Sequence, residues 1–119
     1  MTLQEIQTIL DAKLLCGEEL MSHEVRTACG SDMMSDVLAY VKDQAVLLTG
    51  LMNQQVVRTA EMMDMICVIF VRDKAPDEGI LTLARQKGIA IMTTHHRMFT
   101  SCGLLYQAGL KGGLHQHEL

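Results

Sequence analysis

Three short apolar runs recur along the chain: Ala45 to Thr49 (AVLLT), Met65 to Val71 (MICVIFV) and Ile89 to Thr93 (IAIMT). They are rich in Val and Ile and lack a clean alternation of apolar and polar positions, which is the pattern of strands buried on both faces. Two weaker strand candidates precede them, Lys13 to Cys16 (KLLC) and Glu24 to Cys29 (EVRTAC). Between the runs the period becomes helical. Met34, Val37, Leu38 and Val41 fall at i, i+3, i+4 and i+7, and Val56, Ala60 and Met63 follow the same rule. Ile80, Leu83 and Ala84 form a stripe that ends on Lys87, and Phe99, Cys102, Gly103 and Tyr106 mark the last helix, with Phe99 and Cys102 expected to face the core.

Start and stop signals agree with this division. Ser31 or Asp32, Asn53, Asp77 and Thr94 stand where helix N-caps are expected, while Gly88 and Gly109 are placed as helix stops. The order is helix, strand, strand, then helix and strand in alternation, ending on a helix. Strands separated by single helices need crossover connections, so they are expected parallel in one sheet covered by helices. No linker or charge run divides residues 1–110, and the Gly-rich polar segment 111–119 (KGGLHQHEL) reads as a flexible tail.

Composition narrows the class. With 119 residues, 49% apolar and 20% charged, one globular domain is expected, and no apolar run approaches the roughly 18 residues of a membrane span. The start MTLQEIQTILDAK lacks the basic region and apolar stretch of a signal peptide, so a cytoplasmic protein is expected. Cys16, Cys29, Cys67 and Cys102 form no C-x-x-C pair and sit in apolar company, as reduced thiols do. A formal charge of -4, no Trp and only 2 Phe and 2 Tyr argue against nucleic-acid binding.

Ligands of open parallel sheets bind outside the carboxyl ends of the strands, where helix N-termini offer free N–H groups. Four turns answer to that rule: Gly30-Ser31-Asp32 with Ser35, Thr49-Gly50 with Asn53, Arg72-Asp73-Lys74, and Thr93-Thr94-His95-His96-Arg97. The candidate ligand-binding set is therefore Ser31, Asp32, Ser35, Thr49, Gly50, Asn53, Arg72, Thr93, Thr94 and His95, suited to a phosphate or carboxylate. The same residue types serve as caps and turns whatever the function.

Catalytic constellations are scarce. Asp32 and Asp36 stand four apart, a spacing that would suit Mg2+ or acid-base work but equally a helix first turn. Seven helical residues between His95 and Cys102 span about 10.5 Å, too far for a base to reach its nucleophile. Adjacent His95 and His96 on a helix would diverge by about 100°, whereas a helical metal pair uses i, i+4. His115 and His117 in the tail suit only adventitious metal binding, so neither a metal nor a cofactor is expected. Glycine-rich phosphate loops and the G-x-S-x-G elbow are absent. The ten methionines fall mostly on helix stripes or strands, where packing is their ordinary use.

Several short patterns together resemble the DRTGG domain family, which is related in fold to the N-terminal domain of HPr kinase/phosphorylase. They are Cys29 to Ala39 (CGSDMMSDVLA), Ala45 to Gly50 followed by Asn53, and Val68 to Val71 with Arg72 and Pro76-Asp77-Glu78. Gly88 to Thr93, followed by Phe99, Gly103, Leu104, Tyr106 and Gly109, completes the match. The resemblance implies a three-layer α/β/α sandwich with a mainly parallel sheet of about five strands, in a stand-alone bacterial member. It also implies a regulatory or ligand-sensing role without chemistry of its own, as in relatives fused to nucleotide-sensing or phosphate-metabolising modules. Where members often carry a Thr-Gly-Gly-type turn after the fourth strand, this chain has Val71-Arg72-Asp73-Lys74, whose cationic side chains are suited to hold an anion.

The expectation is a non-enzymatic sensor of a small anionic ligand, such as a nucleotide, that works as a homodimer or higher homo-oligomer. A ligand-free interaction module is the alternative, and a small enzyme using Asp32, Asp36 and His95 is a third.

Overall fold

Leu3, Ile6 and Leu10 repeat at helical spacing and are fully buried along helix α1 (Leu3–Leu10). Its start is a capping box: the Thr2 hydroxyl accepts the Glu5 N–H at 3.1 Å, and the Glu5 carboxylate accepts the Thr2 N–H at 3.0 Å. The computed structural model describes residues 1–114. Strand β1 (Lys13–Cys16) and a 3-10 turn (Glu18–Leu20) follow, then β2 (Thr27–Gly30), α2 (Met34–Val37), β3 (Val46–Thr49) and α3 (Gln54–Met62). The chain continues through β4 (Cys67–Phe70), α4 (Glu78–Lys87), β5 (Ala90–Thr93), α5 (Met98–Gln107) and β6 (Lys111–Gly112).

The six strands form one sheet in the order β1-β5-β4-β3-β2-β6. Neighbours from β5 to β6 run parallel, and β1 pairs antiparallel with β5. Side chains alternate across the sheet, and both faces are covered. Leu47, Val68, Phe70 and Ile91 pack with Val37, Val56, Ala60, Ile80 and Ala84 from α2, α3 and α4. Val46, Leu48, Ile69 and Met92 pack with Leu3, Ile6, Leu10 and Leu105 from α1 and α5. The result is the expected three-layer α/β/α sandwich. At the β1 edge a bulge falls between Leu14 and Cys16, and Gly17 (φ 95°) lies so close to β5 that a Cβ there would stand 2.6 Å from the Ala90 Cα.

Several expectations need correction. The sheet has six strands, and the sixth comes from the segment expected to be a flexible tail: Lys111 and Gly112 pair with Thr27 and Ala28. The Leu114 carbonyl then accepts the Val41 N–H at 2.9 Å, which removes that N–H from any continuing helix. The helix expected to reach Val41 is accordingly a single turn, α2. His115 and His117 lie outside the described residues. The second strand starts at Thr27, because Glu24 forms an isolated bridge to Thr2.

Of the expected caps only Asp77 binds its helix, accepting the Ile80 N–H at 2.9 Å. Met33 and Arg97 occupy the N-caps of α2 and α5 in place of Ser31 or Asp32 and Thr94, and Asn53 caps α3 without a side-chain hydrogen bond. Gly88 ends α4 in the left-handed conformation as expected, and Gly109 (φ 113°) follows α5. In α5 the buried positions are Ser101 and Leu105, and Cys102 is half-buried, whereas Phe99 is 90% exposed. The face of α5 turned to the sheet is that of Ser101 and Leu105, with Met98 and Cys102 beside them, and Phe99 lies away from it.

Candidate functional site

The carboxyl ends of β2 to β5 meet at one edge of the sheet, and their loops are tied together by side chains. Ser31 extends β2 by donating its N–H to the Leu48 carbonyl at 3.0 Å, while its hydroxyl accepts the Met33 N–H at 3.0 Å. That turn directs Asp32 toward β3. Its carboxylate accepts the Gly50 N–H at 2.7 Å and the Thr49 hydroxyl at 3.2 Å. The buried Thr49 oxygen in turn accepts the Leu51 N–H at 3.1 Å.

After β4 the backbone turns through two consecutive left-handed residues, Arg72 (φ 63°) and Asp73 (φ 58°). Neither is glycine, and each such residue costs about 1 kcal/mol or more. The turn is held from the next loop: the Arg72 N–H donates to the His96 carbonyl at 2.8 Å and the Asp73 N–H to the Thr94 carbonyl at 2.9 Å. The chain therefore keeps a glycine-type turn here and gains a cationic side chain. The Arg72 guanidinium lies over Gly50, where any Cβ would run into it, with Nη2 4.0 Å from Asp32. Both side chains are about half exposed, so the attraction is weak and leaves Arg72 open to a second anion.

Beside this turn a cleft of about 580 Å3 is lined by Arg72, Asp73, His95, Arg97, Met98 and Phe99. Two guanidinium groups and one carboxylate give it a cationic balance, and Met98 and Phe99 add apolar surface. The expected histidine pair lies in the loop before α5, and its rings stack 4.0 Å apart at 37°. Among the described residues no group of three or more His, Cys, Asp or Glu stands together to hold a metal ion.

The structure thus brings Asp32, Thr49, Gly50 and Arg72 into one cluster and sets Arg72 and His95 on the cleft. The two threonines expected to wall the pocket are engaged elsewhere. Thr93 donates its hydroxyl to the Lys74 carbonyl at 2.7 Å, and the buried Thr94 donates to the Leu10 carbonyl at 2.7 Å. Ser35 is exposed on α2 and Asn53 is exposed at the start of α3. In place of the threonines the wall contains Arg97, Met98 and Phe99, with Asp73 at the turn. Their signal is a cation and an aromatic in the loop and first helical turn after β5, where the sequence pattern expects Phe99 in the core.

Thiol chemistry finds no support at this edge. Among the described residues Cys102 reaches only the Met98 sulfur, at 3.7 Å, and burial pushes its pKa up. Burial, with smaller contributions from Cys102 and Asp36, raises the Cys29 thiol to about 11, and Cys16 and Cys67 are also raised, mainly by burial. All four remain protonated near neutrality, the opposite of an activated nucleophile.

The sequence profile of the DRTGG domain matches residues 5–108. Among solved structures, the chain is similar to the CBS and DRTGG domains of the regulatory region of Clostridium perfringens pyrophosphatase, crystallised with its activator, diadenosine tetraphosphate. The TM-score is 0.73 at 19% identity, over 90% of this chain and 46% of that one, so this chain spans about half the length of its structural relative. No curated protein matches the chain.

Proposed function

The chain belongs to the DRTGG domain family, a family of regulatory domains, and from that premise we propose that it senses a small anionic ligand at the carboxyl edge of its sheet. The carrying observation is the cleft in which Arg72 and Arg97 flank His95. Guanidinium groups suit planar or tetrahedral oxyanions, and Asp32 holds Arg72 loosely enough to release it. Nucleotides are the first class to try, in keeping with the nucleotide activator of the clostridial regulatory region. We read the domain as non-enzymatic, without cofactor, and acting in the cytoplasm of a bacterium, with neither nucleic acid nor membrane as partner. Among the described residues no helix is long and apolar enough to cross a membrane.

Occupancy would be reported through changed contact with a second copy or a partner domain. A thermal-shift screen of nucleotides and phosphorylated metabolites tests the reading, because a ligand at 100 times its Kd adds about 2.7 kcal/mol of stability. Absence of a shift with every class, in folded protein, overturns it. A second reading, an oligomerisation module without ligand, is favoured by exposed Met33, Met62 and Tyr106. Sedimentation that shows a monomer throughout the micromolar range removes that alternative.

A further inference from the structure

Resting on that reading, we propose that the ligand carries a flat aromatic base that stacks on Phe99 while its phosphates lie between Arg72 and Arg97. The ligand class is then a nucleotide and not a simple phosphorylated metabolite.

Phe99 is 90% exposed, more than any other large apolar side chain described. It stands on the second position of α5, about 200° around the helix from the buried Ser101 and about 240° from Leu105, so no packing requirement accounts for it. The other exposed aromatic is different. Tyr106, two turns further along α5, already carries the Lys111 ammonium 4.0 Å from its ring centre. Phe99 instead shares its cleft with both guanidinium groups.

Size points the same way. The cleft holds about 580 Å3, within the range of roughly 300 to 1,000 Å3 that accommodates organic ligands and far more than one phosphate fills. Its lining has a net cationic part, Arg72 and Arg97 with the Asp73 carboxylate, and an apolar part, Met98 and Phe99, as a molecule with a charged end and an aromatic end requires. Base stacking on an aromatic ring tolerates any base, so discrimination among bases falls to hydrogen bonding by His95. His95 is exposed on the same wall.

Calorimetric titration of the full chain with ADP, GDP, UDP and pyrophosphate separates the possibilities. In the wild type, the nucleoside diphosphates are expected to bind at least tenfold more tightly than pyrophosphate. Phe99→Ala should weaken them by about tenfold and leave pyrophosphate within twofold. Phe99→Trp should restore the loss, and Arg97→Gln should weaken all four ligands. Because Phe99 is exposed, its variants keep the wild-type melting temperature, which shows that folding is not the cause. Equal binding of pyrophosphate and ADP, with Phe99→Ala silent, overturns the base platform but leaves the anion sensor standing. If none of the four binds to folded wild type, the base platform falls, and the wider screen then decides the anion sensor separately.

Discussion

The Asp32 carboxylate accepts the backbone N–H of Gly50 at 2.7 Å, so that one side chain from the loop after β2 fixes the loop after β3. The Thr49 hydroxyl donates to the same oxygen at 3.2 Å. Hydrogen bonds to charged groups contribute about 1.5–3 kcal/mol, with part exposure lowering the value. Asp32→Ala is expected to lose about 1–2 kcal/mol in urea denaturation. Asp32→Asn keeps a neutral acceptor and should lose about half as much. An unchanged midpoint for Asp32→Ala would mean that water replaces the carboxylate without penalty.

Arg72 combines a strained backbone with a guanidinium on the cleft. Glycine adopts its φ of 63° without steric cost, so Arg72→Gly is expected to raise stability by up to about 1 kcal/mol, offset in part by unfolded-chain entropy. The same change removes a guanidinium from the cleft and should abolish anion binding. A variant that is both less stable and still able to bind would contradict the assignment of strain and of role together.

Gly17 tests the β1 edge. Alanine there would need a left-handed backbone and would press its Cβ against the Ala90 backbone. Backbone does not yield as a side-chain tip does, so Gly17→Ala should cost about 2 kcal/mol or more in thermal or urea unfolding. Gly103→Ala, where a Cβ meets nothing within 4 Å, is the control and should be neutral or slightly stabilising.

The buried thiols give an alkaline limit. Cys29 has its folded pKa raised from 9.0 to about 11, so the unfolded chain ionises first as the pH rises. Its contribution is intact below pH 9.0 and is lost as the pH climbs through about 11. The urea midpoint should therefore fall across that window, and Cys29→Ala should flatten the slope. A wild-type midpoint constant to pH 11 would show that Cys29 gains solvent access as it ionises.

The central strands were legible because covering both faces of a sheet leaves a plain mark, uninterrupted runs such as CVIF in β4. β6 leaves no such mark. Lys111 and Gly112 are a strand only because the chain returns beside Thr27 and Ala28, a long-range placement that local pattern does not contain. At the cleft, the placement of Arg72 and His95 could be read from residue type and position after a strand. The use of Thr94 could not, since its hydroxyl is taken by a carbonyl 84 residues away. Phe99 shows the same limit: the buried face of α5 carries Ser101 and Leu105 with Met98 and Cys102 packed beside them, and the spacing of Phe99, Cys102 and Tyr106 does not single that face out.

The order in which the strands lie also bears on how the sheet is assembled. From β2 to β5 each strand is laid next to its predecessor, so every pairing closes one short crossover. The two outer pairings are of another kind, joining Lys13 to Thr93 and Thr27 to Lys111. Closing such long loops forfeits the most chain entropy before any contact compensates. β1 and β6 thus hem a sheet woven from the strands between them in the chain, and a chain cut before Leu110 would leave β2 with an unpaired edge.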